Sequence, residues 1–365
     1  MIPGTAVGRP CFLKGGVPLA EPKRHIIPLF VPHAGCPHDC VFCNQRKITG
    51  ADTPITPDEV RQQIEAAASD AGRGCELAFY GGSFTAIEPE TQEALLSAAM
   101  PFYETGLLAS IRVSTRPDAI DPEVLARLKR YHVETVELGC QSMDDGVLQR
   151  SGRGHTAEAV QKASVLLKHA GFRLILQMMT GLPGDDGEAS RKTADSLIAL
   201  QPDGVRIYPT VVLRDTGLER MMKDGVYAPH TVEDAIPLCA DLYEKFLVAG
   251  IPVIRLGLNP TDLLSDGEAV AGAYHPALGE LVLSELFRRK AEGLLQGAAA
   301  GSALRLLVHP SRISVMAGQH RANLIALKKE FSLSELRVAA GEQDLWSVAV
   351  EAMPAKSQRG CVSRA

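Results

Sequence analysis

The run Cys36-Pro37-His38-Asp39-Cys40-Val41-Phe42-Cys43 follows an apolar segment, Ile26 to Val31, that predicts a strand. Three thiolates at this C-x3-C-x2-C spacing can bind three irons of a [4Fe-4S] cube, one iron each. The fourth iron is then open to bind a cofactor or a substrate. Cys36, Cys40 and Cys43 are therefore the candidate metal ligands, and we expect the cluster that they hold to be reactive.

Three other uses of these cysteines are open from the spacing alone. One is a zinc site with His33 or His38, although structural zinc usually takes two separated ligand pairs and no second pair follows at finger distance. A disulfide framework is disfavoured because the chain has only 8 cysteines in 365 residues and the others are scattered. The third is burial as small hydrophobic residues.

The composition is that of a globular protein with a sizeable core, with 45% hydrophobic and 22% charged residues. A net charge of -5 gives no general attraction to nucleic acid or to an anionic membrane. No run of 18 apolar residues and no apolar leader occurs, so we expect neither a membrane span nor a signal peptide. With the unpaired thiols, this predicts a cytoplasmic location and no membrane partner.

Short apolar runs alternate with helical segments from about residue 25 to about residue 258, which is typical of a parallel α/β fold. The seven strand candidates are Ile26 to Val31, Leu77 to Tyr80, Ile111 to Ser114, Thr135 to Leu138, Leu174 to Met178, Val205 to Tyr208 and Val253 to Leu256. Seven strands are too few for a closed eight-stranded barrel. Functional residues in such folds lie at the carboxyl ends of the strands, which is where the cysteine loop falls.

Residue types mark the helix limits between these strands. Thr56-Pro57-Asp58-Glu59 supplies a capping hydroxyl, a proline at the first helical position and a carboxylate. Asp121-Pro122-Glu123 and Thr231-Val232-Glu233-Asp234 make similar openings. Three glycines are expected to end helices in the left-handed conformation: Gly106, Gly171 and Gly250.

A glycine pair ends the second predicted strand, in the run Tyr80-Gly81-Gly82-Ser83-Phe84. A ligand can approach the backbone closely there because glycine has no Cβ. Next to the cysteine loop, this turn predicts a seat for a small polar head group.

Five further motifs follow in order. They are Ser114-Thr115-Arg116-Pro117-Asp118, Val136-Glu137-Leu138-Gly139-Cys140-Gln141-Ser142, Arg153-Gly154-His155-Thr156, Gly181-Leu182-Pro183-Gly184 and Ile207-Tyr208-Pro209-Thr210. Over roughly residues 25 to 235, the ordered set resembles the radical S-adenosylmethionine (SAM) domain of the Elongator catalytic subunit, with a wider similarity to oxygen-independent coproporphyrinogen oxidases. The resemblance implies an α/β fold of the radical SAM type, a partial (β/α)6 TIM-like barrel, here followed by a mostly helical C-terminal extension.

The resemblance also implies contacts with SAM around the cysteine loop. Phe42 would pack near the adenine, or serve as a core residue instead. Gly81 and Gly82 would contact the methionine end of SAM through their main chain, and Ser83 stands where relatives usually have Glu or Thr.

A second set of implied contacts comes from the later motifs. Gln141 and Ser142 would lie near SAM or the substrate, and Arg153 would face a carboxylate. The structural alternatives are a satisfied strand end for Gln141 and a surface ion pair for Arg153. Arg206 and Tyr208 alternate with an apolar residue on their strand and are expected to point into the barrel.

Two neighbouring residues have simpler interpretations. Cys140 lies within a strand and is predicted to be a buried hydrophobic residue, not a fourth cluster ligand. His155 is predicted to be a loop residue held by turn hydrogen bonds.

The chain departs from the Elongator catalytic subunit in ways that limit the inference. Its cysteines are more closely spaced, and the roughly 100 residues after Asp262 are too few for an acetyltransferase domain. Ser114 stands where relatives have Glu, so a carboxylate contact to the ribose of SAM is not expected from this position. Acetyl transfer and wobble-uridine modification are therefore not inherited.

Four segments are predicted along the chain: an N-terminal tail (1–24), a radical SAM partial barrel (25–260), a C-terminal extension (261–352) and a flexible tail (353–365). Substrate choice is expected to depend on the extension, where the candidate residues are His275, Glu280, His309, Arg312 and His320.

The predicted function is that of a radical SAM enzyme, with a [4Fe-4S] cluster and S-adenosyl-L-methionine as cofactors. It would cleave SAM reductively and use the resulting 5'-deoxyadenosyl radical on an unidentified substrate, with RNA suggested by analogy only. Its partner would be an external one-electron reductant of the flavodoxin or ferredoxin type. The alternative is a nonenzymatic RNA-binding module stabilised by an iron-sulfur cluster or zinc.

Overall fold

The computed structural model describes residues 24–31, 36–44, 55–259 and 267–353. Contacts divide the chain into two units, Met1–Ala235 with Leu242–Pro276, and Ile236–Asp241 with Ala277–Ala365. None of the described helices combines the length and apolar composition that a membrane crossing needs.

The strands of the first unit confirm the predicted parallel sheet. They are β1 (Ile26–Phe30), β2 (Cys75–Tyr80), β3 (Leu108–Thr115), β4 (Val133–Gln141), β5 (Arg173–Thr180), β6 (Gly204–Pro209), β7 (Val211–Leu213), β8 (Val253–Leu256) and β9 (Ala269–Gly272). Seven of them form one curled half-barrel sheet in the order β1-β2-β3-β4-β5-β6-β8, and every neighbouring pair is parallel. β7 and β9 form a separate antiparallel pair.

The helices that connect these strands begin where the capping residues predict. They are α1 (Pro57–Ala71), α2 (Pro89–Glu104), α3 (Pro122–Arg130), α4 (Asp145–Arg150), α5 (Ala157–His169), α6 (Gly187–Ala199), α7 (Gly217–Lys223) and α8 (Val232–Val248). The Asp121 carboxylate accepts a hydrogen bond from the Val124 N–H at 2.8 Å, and Thr231 with Asp234 forms a capping box. The three predicted helix-ending glycines have φ of 73° (Gly106), 78° (Gly171) and 72° (Gly250).

Burial alternates toward the carboxyl ends of β3, β5 and β6 because successive side chains point to opposite faces. Residues such as Val113, Leu176 and Ile207 are 0% exposed and form the core on one face of the sheet. Arg112 and Tyr208 lie on the other face, which we call the inner face, and remain partly exposed. The inner face of the half-barrel is therefore polar and open, as the predicted orientation of Arg206 and Tyr208 requires.

The second unit has its own core and its own sheet. Its elements are α9 (Leu278–Leu295), β10 (Ala303–Val308), α10 (Ile313–Ala317), α11 (Ala322–Glu330), β11 (Glu335–Ala340) and β12 (Val348–Ala352). β10 pairs in parallel with β11 and antiparallel with β12. The predicted mostly helical extension therefore also contains a three-stranded sheet, which the alternate burial of Leu304, Leu306 and Val308 explains.

The predicted segment limits stay predictions. The N-terminal tail (1–24) and the C-terminal tail (353–365) lie almost wholly outside the described residues, as does His33.

Candidate active site

The cysteine loop lies at the carboxyl end of the parallel sheet and is tied to two distant segments. The Val41 N–H donates to the Ser151 carbonyl at 3.1 Å, and the Leu218 N–H donates to the Val41 carbonyl at 2.7 Å. Within the loop, the Cys43 N–H donates to the Cys40 carbonyl at 3.0 Å. These bonds fix the backbone between the second and third cysteines.

Glycines allow the loop to pack closely on those segments. A Cβ on Gly152 would lie 3.1 Å from the Asp39 carbonyl oxygen, and Gly152 has a φ of +65°. A Cβ on Gly217 would lie 3.2 Å from the Val41 Cα. Side chains at these positions would push the loop away. The absence of a Cβ at Gly152 and Gly217 therefore helps to position the cysteines.

The three predicted cluster ligands take part in no disulfide among the described residues, and all three are partly exposed. The Cys36 Sγ lies 3.4 Å from the Ser83 Oγ, so the structure brings the cysteine loop and the glycine turn together. Within the described ranges, no three His, Cys, Asp or Glu side chains converge where a single metal ion could bind. A cluster needs no such convergence because each thiolate binds its own iron.

The glycine pair adopts the backbone conformation that its residue type favours. Gly81 and Gly82 have φ of 76° and 57° and directly follow β2. Ser83 is 1% exposed, so its hydroxyl faces the loop and not the solvent. The contacts of these three residues with SAM stay predictions.

Arg153 joins the cysteine loop to the end of β4. Its Nη1 lies 3.6 Å from the Cys40 Sγ, and its Nη2 donates to the Gly139 carbonyl at 2.7 Å. A Cβ on Gly139 would lie 2.7 Å from the Arg153 Nη2. Arg153 is 9% exposed and has no carboxylate partner among the described residues, so the alternative of a surface ion pair is wrong.

Three other predicted site residues have different surroundings. Gln141 is 9% exposed, has a φ of 66°, and its buried Oε1 has no hydrogen-bond partner among the described residues. The Ser142 Oγ accepts from the Asp144 N–H at 3.1 Å and lies 3.3 Å from the Thr193 Oγ1. Phe42 packs against the cluster formed by Val212, Leu218 and Tyr227, which favours its structural role; the functional roles of all three stay predictions.

A buried arginine supports the turn that carries Arg153. Arg116 is 1% exposed, and its Nη2 donates to the Arg153 carbonyl at 2.9 Å. His155 lies in a loop, as predicted, but its Nε2 lies 3.2 Å from the carbonyl of Cys140 on β4, so a strand residue and not a turn holds the ring. Burial, together with the nearby Arg153 charge, lowers the pKa of His155 to about 4, so its ring is neutral.

Cys140 is a structural residue. Its side chain is fully buried, and burial raises the pKa of its thiol to about 12. A thiol that resists deprotonation is a poor iron ligand, which supports the prediction that Cys140 is not a fourth ligand.

An ion-pair network on the inner face was not predicted from the sequence. The Glu137 Oε1 accepts from the Arg112 Nη1 at 2.6 Å and from the Arg206 Nη2 at 2.8 Å. The Arg112 Nη2 pairs with Glu76 at 2.8 Å. Burial by itself would raise the pKa of Glu137, but the two guanidinium groups hold it below its usual range. The available signal was a charged residue, Glu137, between the apolar residues Val136 and Leu138 of a strand.

Comparisons with known proteins agree with this geometry. The family model of the radical SAM superfamily matches residues 30–197, and that of the radical SAM C-terminal domain matches residues 202–288. An uncharacterized protein of Methanocaldococcus jannaschii is 28% identical over 72% of this chain and 84% of its own length. A tRNA uridine(34) acetyltransferase of the same organism is 31% identical over 56% of this chain, which spans only 45% of that enzyme.

The solved structure of an archaeal Elp3 supports the fold. The archaeal Elp3 of Methanocaldococcus infernus superposes with a TM-score of 0.58 at 25% identity, covering 73% of this chain and 63% of that one. Coproporphyrinogen III oxidase (HemN) of Escherichia coli has a TM-score of 0.47 at 20% identity, covering 63% of this chain and 54% of that one. The half-barrel, the three-cysteine loop at its carboxyl edge and the two matched models agree: the chain belongs to the radical SAM superfamily of enzymes.

Proposed function

We propose that this protein binds a [4Fe-4S] cluster through Cys36, Cys40 and Cys43, binds SAM beside it, and uses the pair to act on a substrate in the half-barrel. The observation that carries the proposal is the position of the three partly exposed thiols at the carboxyl edge of the sheet. The Ser83 Oγ lies next to the first thiol and the Arg153 guanidinium next to the second.

The residues present fit an iron-sulfur cluster. Thiolates are the usual ligands of such clusters, and the described cysteines of the loop are not consumed in disulfides. The Arg153 Nη1 lies 3.6 Å from the Cys40 Sγ and so places a positive charge beside the proposed cluster. The cluster would supply the electron for reductive cleavage of SAM to a 5'-deoxyadenosyl radical.

The protein's own residues hold and orient these groups. The two backbone bonds of Val41 fix the loop, and Gly81 with Gly82 leaves the end of β2 free of side chains. Arg153 donates a hydrogen bond to the Gly139 carbonyl, and this bond holds the guanidinium at the end of β4 and out of the solvent. A cationic, preorganised edge of this kind suits the carboxylate of SAM.

RNA is the substrate class that the relatives suggest. Among them is the tRNA uridine(34) acetyltransferase of Methanocaldococcus jannaschii. Because this chain spans less than half of that enzyme, the comparison supports RNA as a substrate to be tested and does not extend to acetyl transfer. A flavodoxin or ferredoxin would deliver the electron, and the cytoplasmic location predicted from the unpaired thiols is part of the proposal.

The test is anaerobic reconstitution with iron and sulfide, followed by dithionite and SAM, with 5'-deoxyadenosine measured by mass spectrometry. We expect about four irons per chain and formation of 5'-deoxyadenosine in the wild type. Cys40→Ala should lose both, whereas the matched control Cys75→Ala should keep both because Cys75 is buried at the amino end of β2 and the loop lies at the carboxyl end of the sheet. An iron-loaded wild type that forms no 5'-deoxyadenosine would contradict the proposal.

Metal analysis separates the enzyme from the nonenzymatic alternative. One zinc per chain and no response to SAM would favour the zinc-stabilised module. RNA binding that is unchanged by added salt would argue against recognition of a phosphate backbone.

A further inference from the structure

The inner face of the half-barrel is lined by polar side chains that solvent can reach. Arg112 and Ser114 on β3, Gln177 on β5, and Arg206 and Tyr208 on β6 are partly exposed, while the residues between them are buried. In the sheet, β3 and β5 lie on either side of β4, and β6 follows β5, so these side chains share one side of the curled sheet. A space lined this way suits a polar ligand.

Arg206 crosses this space. Its Nη2 donates to the Glu137 carboxylate on β4 at 2.8 Å and to the Tyr80 hydroxyl on β2 at 3.1 Å. Three strands separate β2 from β6 in the sheet, which would place them about 19 Å apart if the sheet were flat. The sheet is therefore strongly curved, and the Arg206 side chain forms a bridge within its concavity.

The bridge leaves two phenol protons available. The hydroxyls of Tyr80 and Tyr208 both accept hydrogen bonds from Arg206, the second at 3.4 Å. Each hydroxyl can therefore use its own proton to donate elsewhere. Burial, with the nearby Glu137 charge, raises the pKa of Tyr80 to about 12, and burial raises that of Tyr208, so both remain protonated.

The charges on the inner face do not cancel. The carboxylates of Glu76 and Glu137 balance Arg112 and Arg206, with which they pair. Arg255 is the register partner of Arg206 on the adjacent strand β8, so its side chain shares the inner face. Its Nε donates to the Gly257 carbonyl at 3.1 Å, and within the described part of the chain it has no carboxylate partner. Among the described residues of this network, the Arg255 charge is therefore the one without a carboxylate partner.

We propose that Arg255 and the Tyr208 hydroxyl bind an oxyanion of the substrate, a carboxylate or a phosphate, inside the half-barrel. The site combines a guanidinium that has no carboxylate partner in the described ranges with a phenol that can donate, and anions are bound most strongly by such charge-assisted donors. Arg206 and Glu137 are positioning residues, because they hold the Tyr208 and Tyr80 hydroxyls in place. The inference rests on the proposed function only in naming the bound anion as part of the substrate.

The experiment maps labelling of arginines by phenylglyoxal in the full chain by mass spectrometry, with and without inorganic phosphate or acetate. We expect either anion, or both, to slow labelling of Arg255 at least tenfold. Arg220 on the exposed side of α7 is the internal control and should be labelled at the same rate throughout. Protection by phosphate alone identifies a phosphate group, protection by acetate alone identifies a carboxylate, and protection by both supports an oxyanion site of either kind.

Two tyrosine variants test the geometry. Tyr208→Phe removes one hydrogen bond to an anion and should raise the concentration needed for protection about tenfold. Tyr131→Phe, at a partly exposed tyrosine after α3, is the matched control and should leave protection unchanged. Failure of both anions to protect Arg255, or equal protection in Tyr208→Phe and wild type, would overturn the inference. Labelling needs neither cluster nor SAM, so a failure of SAM cleavage leaves this measurement valid.

Discussion

Glu137 is the residue whose replacement most directly tests the inner-face network. Glu137→Gln keeps the size of the side chain but removes the charge that Arg112 and Arg206 share. Arg206 then has no carboxylate among the described residues, whereas Arg112 keeps Glu76. Removing one partner of a buried ion pair lowers the free energy of unfolding by about 3–5 kcal/mol. Because Arg112 keeps Glu76, we expect the loss in Glu137→Gln to lie near the lower end of this range. That is a large share of a total stability of about 5–15 kcal/mol.

The measurement is hydrogen exchange of peptides that cover β3, β4 and β6, read as free energies of opening. Peptide-level data are needed because the chain has two units and a single global probe would mix them. The matched control is Glu134→Gln on the same strand, whose carboxylate is 39% exposed and pairs with Arg24 at 3.0 Å. An exposed ion pair contributes about 0–1 kcal/mol to stability, so Glu134→Gln should change the free energies of opening little.

The pH dependence of the Glu137→Gln effect has a defined sign. The pKa of Glu137 in the folded protein lies below its ordinary value of 4.5, so the carboxylate stabilises the fold at pH values above that value. This stabilisation is lost as the pH falls through the folded pKa, and the difference between wild type and variant should then shrink. A Glu137→Gln protein within about 1 kcal/mol of the Glu134→Gln control at pH 7 would refute the reasoning.

Three further predictions concern the candidate active site. Gly139→Ala places a Cβ 2.7 Å from the Arg153 Nη2 and should displace the guanidinium. The loss of one charged hydrogen bond should reduce the rate of 5'-deoxyadenosine formation about tenfold or more, while the iron content stays at the wild-type level. Equal rates in variant and wild type would contradict this prediction. The pKa of His155 in the folded protein is about 4, below the 6.5 of an unperturbed histidine. The free energy of unfolding should therefore fall as the pH is lowered from about 6.5 to about 4, by at most about 1.4 kcal/mol per pH unit. Urea titrations at several pH values should show that His155→Asn lacks this contribution. Iodoacetamide should alkylate Cys36, Cys40 and Cys43 in the cluster-free protein faster than the buried Cys75 and Cys140, and mass spectrometry of a short time course gives the order.

Most of the first unit follows from short-range signals in the sequence. The seven strands of the main sheet were predicted because they are short apolar runs separated by helical segments with capping residues such as Asp121 and Thr231, whereas the short pair β7 and β9 was missed. The three-stranded sheet of the second unit was missed because its strands, such as Ala303–Val308, alternate between buried and partly exposed positions in a segment dominated by helical patterns. Strand pairing over a long sequence separation leaves little local trace.

The candidate site was predictable where residue type alone decides the chemistry. Three cysteines at a fixed spacing and two adjacent glycines need no knowledge of the fold. The network of Glu137 and Arg206 was not predictable, because the residues are 69 positions apart and meet only when the sheet curves. Arg255 was missed for the same reason, since its importance depends on which neighbouring charges are already paired.

The two ties of the cysteine loop set an order of events during synthesis of the chain. Val41 needs the Ser151 carbonyl and the Leu218 N–H, so the loop reaches its final shape only after residue 218 has left the ribosome. Until then the proposed cluster site is incomplete on the nascent chain. We therefore expect the proposed cluster to be inserted late, when most of the chain has been synthesised. A fragment that ends before Gly217 should accept iron and sulfur from the cellular assembly machinery poorly.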